Sequence, residues 1–240
     1  MNKDSTARQA HCPEPSRRTS SPYKEGFPKQ GYNLIIPSFV LALVNFLAFG
    51  FSRDVLVFIL GIIFFISALF FLFFFRDPQR KIPQGENLVL APADGKVIEL
   101  ENFESYPFLD SKGTKLSIFL SLWDVHINRV PISGKVVSMK YKKGKFYPGF
   151  RKEASSENEQ NEIWLENDEI KLVLKQIAGI FARRIVCNLK EGDGVEAGER
   201  FGMIKFGSRV EIFLPEKVKI LVSLDQKVRA GETIIGTYTS

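Results

Sequence analysis

Two long apolar segments near the start of the chain predict a pair of helices. In residues 55–75, 18 of the 21 positions are Val, Leu, Ile or Phe, and none is charged. At about 1.5 Å per residue such a helix is roughly 30 Å long, which matches the apolar core of a bilayer. Residues 34–51 are also apolar but contain Pro37, Ser38 and Asn45. Either a spanning or a re-entrant helix is compatible with this second segment.

The rest of the chain has a different pattern, with short apolar runs between Gly, Pro, Asp and Asn, which predicts many short strands. Two turn sequences recur in it: Asp94–Val97 resembles Ser133–Val136, and Val195–Glu199 resembles Val228–Glu232. Related half-units that bury their apolar faces on each other are typical of a sandwich or barrel. We therefore predict a mainly β, barrel-sandwich-like domain with an internal repeat over residues 77–240.

The polar and charged residues predict a tail before the two helices and an orientation for them in the membrane. Residues 1–30 are polar and rich in Ser, Pro, Lys and Arg, so we predict a disordered tail before the hairpin of residues 31–76. Lysine and arginine flank the hairpin on its outer sides, whereas the link at residues 52–54 carries a single Arg53. The positive-inside bias places both ends of the hairpin, and the β domain, on the cytoplasmic face of the cell membrane.

The composition favours a membrane partner over nucleic acid. The net charge of +6 calls for an anionic partner, which either a nucleic acid or an anionic membrane surface would supply. The chain contains 22 Phe, and they cluster in the apolar segments. The basic cluster at residues 140–145 is compatible with lipid headgroups, with a solvated turn or with nucleic acid. Since neither Cys12 nor Cys187 lies in a CxxC pair, we expect no disulfide and no metal site.

The dipeptide Gly207-Ser208 is the first candidate for chemistry. Glycine leaves its carbonyl unshielded and tolerates a strained backbone, so the Ser208 hydroxyl could attack that carbonyl and turn the amide into an ester. Elimination of the ester would convert Ser208 into a dehydroalanine and then a pyruvoyl group. A bulge or turn within a strand is the alternative interpretation.

Two further side chains are candidates for proton transfer. His126 lies in a segment that also contains Asp124, Asn128 and Arg129, and the other histidine of the chain, His11, is in the tail. Asp94 occupies an Asp-Gly turn, where its carboxylate could orient a base or take a proton from the Ser208 hydroxyl. Each also has a purely structural interpretation, as a core histidine and as a turn residue.

Several separate motifs, in order along the chain, carry a family resemblance. Residues 75 to 240 resemble the phosphatidylserine decarboxylase proenzymes of the short bacterial and archaeal type, and the hairpin ending in Phe-Arg-Asp-Pro matches the usual start of that family. The motifs are Ala91–Gly95, Trp123–Pro131, Gln176–Gly179 with Ala182–Cys187, and Phe206–Arg209.

The resemblance implies self-cleavage between Gly207 and Ser208 into a β chain, residues 1–207, and an α chain, residues 208–240. Ser208 would become the pyruvoyl cofactor, which forms a Schiff base with phosphatidylserine, loses CO2 and releases phosphatidylethanolamine for phospholipid biosynthesis. The implied partners are phosphatidylserine in the membrane and the two chains of one precursor. No nucleic acid is implied, and a homo-oligomer is compatible with the pattern.

Six residues are candidates for roles in this chemistry. Ser208, His126 and Asp94 would be catalytic, whereas Arg129, Lys145 and Arg209 are candidates for contact with the substrate headgroup. In the long form of the family, a second histidine lies three residues after the first, and here that position is Arg129. We therefore expect His126 to handle substrate protons, and Asp94 or another group to activate Ser208.

Two other classes of protein share part of this pattern. A membrane-anchored adaptor or carrier with a barrel-sandwich domain would explain the hairpin and the repeated turns, but it leaves His126 and the context of Gly207-Ser208 unexplained. A nucleic-acid-binding protein would account for the net charge and the lysine cluster, and for little else in the chain.

Overall fold

The structure of the protein, a computed structural model, describes residues 29–180, 185–204 and 208–239. These residues belong to two compact units, one that ends at Gln79 and one that begins at Arg80. The predicted disordered tail falls almost wholly outside the described residues, and so does Gly207 of the predicted cleavage site.

The first unit is a pair of helices, α1 (Lys29–Ser52) and α2 (Val55–Phe74). The side chain of Asp54 caps α2 by accepting a hydrogen bond from the backbone N–H of Leu56. Both helices are long and apolar enough to cross a membrane. The predicted helical hairpin is therefore confirmed.

Helix α1 is continuous through the polar positions that interrupt its sequence. Pro37 lies inside the helix. Ser38 Oγ donates to the carbonyl of Leu34 at 2.7 Å, and Asn45 Nδ2 donates to the carbonyl of Leu41 at 2.8 Å. Both side chains therefore donate to carbonyls one turn earlier in the same helix, which satisfies one of their donors within the helix.

Small and aromatic residues bring the two helices together. A Cβ atom at Gly61 would lie 2.8 Å from the ring of Phe46, so the glycine makes room for that ring. Phe39 and Phe65 meet edge to face, with ring centroids 6.2 Å apart. Close approach over small residues and aromatic packing are how apolar helices associate without a hydrophobic driving force.

The second unit is built from short strands and one short helix, α3 (Ala154–Glu157). In the described residues the strands are β1 (Leu88–Leu90), β2 (Gly95–Phe103), β3 (Gly113–Leu120), β4 (Ile127–Arg129), β5 (Gly134–Lys142), β6 (Gln160–Glu166), β7 (Lys171–Ile177), β8 (Ile185–Cys187), β9 (Gly194–Val195), β10 (Arg200–Ile204), β11 (Ser208–Pro215), β12 (Val218–Ile220), β13 (Lys227–Val228) and β14 (Ile234–Tyr238).

Eight of these strands form one antiparallel sheet in the order β13-β2-β3-β11-β7-β6-β5-β9. Two three-stranded sheets, β1-β14-β12 and β4-β10-β8, complete the unit. The large sheet has internal symmetry, since β13, β2, β3 and β11 on one side correspond to β9, β5, β6 and β7 on the other. The mainly β prediction is confirmed.

Strand register shows that the sequence repeat is also a structural repeat. Val228 pairs with Gly95 in one half, and Val195 pairs with Gly134 in the other. In each half, a copy of the first recurring turn sequence pairs with a copy of the second. The predicted internal repeat is therefore confirmed.

Equivalent glycines close the two repeated turns. Gly231 and Gly198 have φ angles of +73° and +81°, a conformation that favours glycine. The N–H of Gly231 donates to the carbonyl of Ala91 at 2.9 Å, and that of Gly198 donates to the carbonyl of Val130 at 2.8 Å. Each turn is thus fastened to the segment that leads into its own half of the sheet.

Strand β11 is buried along its whole length, on both faces. On the inner face Val210, Ile212 and Leu214 belong to the main hydrophobic core. The outer face is covered by the segment from Phe103 to Leu109, which packs around Phe213. Polar residues of β11 are therefore held inside the protein on either side of the sheet.

Candidate functional site

Ser208 is the first residue of the central strand β11. Its backbone pairs with Leu120, the last residue of β3, and its side chain is fully buried. Residues alternate between faces along a strand, so Ser208 shares the inner face with Val210. Its Oγ has no hydrogen-bond partner among the residues that the structure describes.

A glycine loop lies directly against the backbone of Ser208. A Cβ atom at Gly149 would be 3.0 Å from the carbonyl carbon of Ser208 and 3.1 Å from its oxygen. The loop can take this position because residue 149 has no side chain. Sequence reasoning missed this residue, although Pro148-Gly149 is an ordinary turn signal.

If the predicted self-cleavage takes place at Ser208, substitution of Gly149 by alanine is expected to slow it about tenfold, because the new methyl group displaces the carbonyl of Ser208 by a few tenths of an ångström. The rate at which the full-length chain disappears on a denaturing gel measures this effect. Gly194→Ala is the matched control, since nothing lies within 4 Å of a Cβ atom at that position. Equal cleavage rates in the two variants would show that the close contact is irrelevant.

Asn158 holds the same loop in place. Its Nδ2 donates to the carbonyls of Tyr147 and Ala178, both at 2.7 Å, and its Oδ1 accepts from the N–H of Tyr147 at 2.8 Å. Ala178 directly follows β7, which pairs with β11. The fully buried Asn158 therefore fastens the loop to the sheet beside Ser208, a role that no local sequence pattern indicated.

His126 lies just after the turn that follows β3. Asp124 closes this turn, because its Oδ2 accepts from the backbone N–H and the hydroxyl of Ser121 at 2.8 and 2.6 Å. The Nδ1 of His126 lies 2.9 Å from the carbonyl oxygen of Asp124. A carbonyl oxygen accepts hydrogen bonds, so Nδ1 carries the proton and Nε2 has the lone pair in the neutral ring.

The fold places His126 beside the segment of chain that leads into Ser208. The carbonyl of His126 accepts from the N–H of Ile204, at 3.4 Å, at the end of β10. Three residues outside the described range then lead from Ile204 to Ser208. The histidine is fully buried, so its ring lies in the protein interior where this segment begins.

Asp94 is buried and accepts three hydrogen bonds from two donor groups. Arg80 Nη2 donates to both carboxylate oxygens, at 3.0 and 2.7 Å, and the N–H of Ala230 donates to Oδ1 at 2.8 Å. Burial raises the pKa of the Asp94 carboxyl group above its ordinary value, and the charge of Asp124 adds to that rise. Arg80 and the Ala230 N–H oppose the rise in pKa because they favour the anion.

The internal repeat supplies a counterpart for Asp94. Ser133 occupies the equivalent place in the other half, and its hydroxyl accepts from the N–H of Ala197 at 2.9 Å, as Asp94 accepts from Ala230. A hydroxyl is therefore sufficient to hold this turn. The two halves differ in that the half containing β2 and β3 has the Asp94 carboxylate and its partner Arg80 at this place.

Arg209 is almost completely buried in an ionic cluster on the outer face of the sheet. Its Nη2 contacts Glu99 and donates to Ser117 Oγ at 2.7 Å, while its Nε lies 2.7 Å from Glu211 Oε1. The side chain therefore points away from the face that carries the Ser208 hydroxyl.

The other two headgroup candidates lie in different surroundings. Arg129 is buried, and its Nη1 donates to the carbonyl of Gly198 at 2.8 Å in one of the repeated turns. Lys145 is exposed and pairs with Glu157 at 2.7 Å. The hydrogen bond with Glu157 raises the pKa of the Lys145 ammonium group.

A chain of buried amides runs along the inner side of the sheet near Ser208. Asn161 Nδ2 donates to Gln176 Oε1 at 3.1 Å, and Gln176 Nε2 donates to Asn128 Oδ1 at 2.8 Å. Gln176 pairs with Val210 across the sheet and so faces the same side as Ser208. Within the described part of the chain, Asn128 Nδ2 has no partner, which leaves a donor for a substrate or a reacting carbonyl.

Metal ligands do not converge in the described part of the molecule, where no group of three or more His, Cys, Asp or Glu side chains could hold an ion. Cys187 is buried at the end of β8. Cys12 lies outside the described residues.

Comparison with known proteins gives one consistent result. A family model described as phosphatidylserine decarboxylase matches residues 67–236. A protein from Chlorobium phaeobacteroides (strain BS1) is 48% identical over 169 residues, which cover 70% of this chain and 79% of the relative. A protein from Wolbachia sp. subsp. Brugia malayi (strain TRS) is 46% identical over 214 residues, which cover 86% of this chain and 89% of the relative. Both relatives carry the name phosphatidylserine decarboxylase proenzyme.

Proposed function

The chain belongs to the phosphatidylserine decarboxylase family, and we propose on this basis that it converts phosphatidylserine to phosphatidylethanolamine and CO2 with a pyruvoyl group made from Ser208. The observation that carries the proposal is the Ser208 hydroxyl, fully buried and without a hydrogen-bond partner in the described residues. Buried hydroxyl groups nearly always have a partner. The Ser208 hydroxyl, at the start of the central strand, is an exception to this rule and is therefore available for chemistry.

Self-cleavage begins with attack of Ser208 Oγ on the carbonyl carbon of Gly207. The amide becomes an ester as the nitrogen of Ser208 takes up a proton. Loss of the Ser208 Cα proton and departure of the Gly207 carboxylate leave a dehydroalanine. Water then replaces its nitrogen, which leaves as ammonia, so that the α chain begins with a ketone.

The ketone supplies an electron-withdrawing carbonyl that accepts the electron pair released with CO2. Strand β11 holds its position in the precursor, because it pairs with β3 over Ser208–Pro215 and with β7 over Arg209–Phe213. Both neighbouring strands belong to the β chain. We therefore expect the α chain to remain in the sheet after cleavage.

We assign Arg209 a positioning role in this arrangement. Once the bond before Ser208 is cut, the free end of the α chain would be able to fray from the sheet. The buried ion pairs of Arg209 with Glu99 and Glu211 lie one residue from that end, and removal of one member of a buried ion pair is costly. Arg209 thus holds the first residues of the α chain in the sheet.

His126 is proposed to handle the protons of the substrate. Its Nδ1 proton is held by the carbonyl of Asp124, so Nε2 is the nitrogen that can accept and return a proton. After CO2 leaves, the substrate carbon needs a proton, and a positioned imidazole can deliver it.

Asp94 is proposed to be the base that activates Ser208. A raised carboxyl pKa makes a stronger base, and Asp94 combines this with a rigid position set by Arg80 and Ala230. Because its pKa lies above the ordinary 3.8, the carboxylate is lost as the pH falls through that higher value. Self-cleavage should slow over the same range of pH.

Exchanging the residue types at the equivalent positions 94 and 133 tests the role of Asp94 as a base. Asp94→Ser keeps a side-chain acceptor for the N–H of Ala230, as Ser133 does for Ala197, and is expected to slow self-cleavage on the order of 10²-fold or more. Its residual cleavage should also lose the acid sensitivity of the native protein. Ser133→Asp is the control and should cleave at the native rate. Native cleavage of Asp94→Ser would reduce Asp94 to a turn residue.

The membrane is the proposed location of the reaction. The two apolar helices near the N-terminus are consistent with membrane association. Basic residues flank them on the outer sides, from which we propose that the β domain lies on the cytoplasmic face.

Intact-mass spectrometry of the purified protein tests the proposed function as a whole. Two fragments are expected, and the one that starts at residue 208 should carry a ketone in place of its amino group. Reduction with borohydride in the presence of phosphatidylserine should attach the lipid to that fragment. A single uncut chain in a preparation that produces phosphatidylethanolamine would refute the proposal.

A further inference from the structure

Three large apolar side chains are exposed around the end of the sheet that carries Ser208. Trp123, Phe150 and Ile180 expose 68%, 61% and 49% of their surface. In the described part of the β unit, the other large apolar residues with such exposure are Leu221 and Leu224. Burial of apolar surface is the main driving force of folding, so a local concentration of exposed apolar residues marks a contact surface.

Each of the three comes from a loop beside the reactive serine. Trp123 follows β3, whose last residue pairs with Ser208. Ile180 follows β7, whose last residue pairs with the next position of β11. Phe150 adjoins Gly149, which lies against the backbone of Ser208. We call these three residues the apolar rim.

Positive charge accompanies the apolar rim. The loop of residues 142–153 contains five basic residues and one acidic residue. Lys143, Arg151 and Lys152 are exposed in it. An aromatic and aliphatic tip surrounded by lysine and arginine suits an anionic lipid surface, where rings sit at headgroup level and cations meet phosphates. A second copy of the chain would instead place two such basic loops against each other.

We propose that the apolar rim inserts into the membrane surface and holds the Ser208 end of the sheet at the level of the lipid headgroups. Phosphatidylserine then reaches the site from the bilayer without passing through water. This inference rests on the proposed function for its lipid substrate, and it assigns a docking role to loops outside the helical hairpin.

The composition of the chain provides a direct probe, because Trp123 and Trp164 are its two tryptophans. Trp164 is half-buried on the outer face of the sheet, stacked on Phe108 with centroids 4.8 Å apart. A full-length Trp164→Phe variant therefore reports on the apolar rim through Trp123. The control is Trp123→Phe, which reports on the outer face of the sheet through Trp164.

Both variants are reconstituted in vesicles of phosphatidylcholine and phosphatidylglycerol in which the phosphatidylcholine is brominated near the top of its acyl chains. Trp123 emission is expected to be quenched, because interfacial side chains reach about 5–10 Å into the headgroup and acyl boundary. Trp164 emission should be unchanged. Equal emission of Trp123 with and without bromine overturns the inference. So does a shift of Trp123 emission that follows protein concentration instead of lipid, which would indicate contact between copies.

Enzyme kinetics of the same full-length protein provide a second test of the docking role. The double variant Phe150→Ser, Ile180→Ser should raise KM for bilayer phosphatidylserine on the order of tenfold or more. KM for a short-chain, water-soluble phosphatidylserine and the rate of self-cleavage should stay native. The control Leu224→Ser removes an exposed apolar side chain before β13, three strands away from β11. Quenching is read separately from turnover, so native turnover without quenching rejects the docking role and leaves the decarboxylase assignment intact.

Discussion

A Ser208→Ala protein is expected to remain a single uncut chain and to lose decarboxylase activity by a factor on the order of 10⁶ or more, since it has neither the nucleophile nor the carbonyl derived from it. The substitution removes one buried oxygen that has no partner among the described residues. The fold should therefore survive. A denaturing gel and an assay of CO2 release measure the two effects.

Two comparisons make the Ser208 experiment decisive. Ser156→Ala changes an exposed serine in α3 and should cleave and turn over normally. Thermal unfolding of Ser208→Ala should show a stability close to that of the native precursor. An uncut Ser208→Ala chain that still releases CO2 from phosphatidylserine at the native rate would end the assignment of this residue.

His126→Ala should separate the two reactions of the protein. Self-cleavage is expected to continue, while decarboxylation falls by about 10²–10⁴-fold because no imidazole protonates the substrate carbon. The gel pattern of the two fragments and the release of CO2 are measured on the same sample. Loss of cleavage in a folded His126→Ala protein would contradict the division of roles between His126 and Asp94.

Matched variants guard this result against a purely structural effect. His126→Asn places an amide nitrogen near the position of Nδ1, so it keeps a donor for the carbonyl of Asp124 but has no basic nitrogen. It should match His126→Ala in activity and the native protein in stability. His11→Ala changes the other histidine of the chain and is expected to have no effect on either reaction.

The positions of Arg209 and Arg129 show how tertiary structure changes the interpretation of a charge. In the sequence both lie beside catalytic candidates and suggest contact with a lipid headgroup. In the fold both are buried, with Arg209 in ion pairs to residues of β2 and β11 and Arg129 on the carbonyl of Gly198. The headgroup roles of Arg209 and Arg129 stay predictions. The positioning role proposed for Arg209 depends on its ion pairs with Glu99 and Glu211.

The sequence alone determined the features that depend on local patterns. An uncharged apolar run long enough for a bilayer specifies a helix wherever it lies, and repeated turn sequences specify equivalent strands. The hairpin, the mainly β unit and its internal repeat were all predicted in this way and are present in the structure. The motif around Ser208 likewise identified a candidate nucleophile without any knowledge of its neighbours.

Tertiary structure decided which groups surround that nucleophile. Gly149 contacts Ser208 from 59 positions earlier in the chain, and Ala230 donates to Asp94 across 136 positions. Such contacts exist because the strands and loops meet at one end of a sheet, and no periodicity within a short window encodes that meeting. Burial, hydrogen-bond partners and a raised carboxyl pKa are properties of the assembled sheet, so only the fold could reveal them.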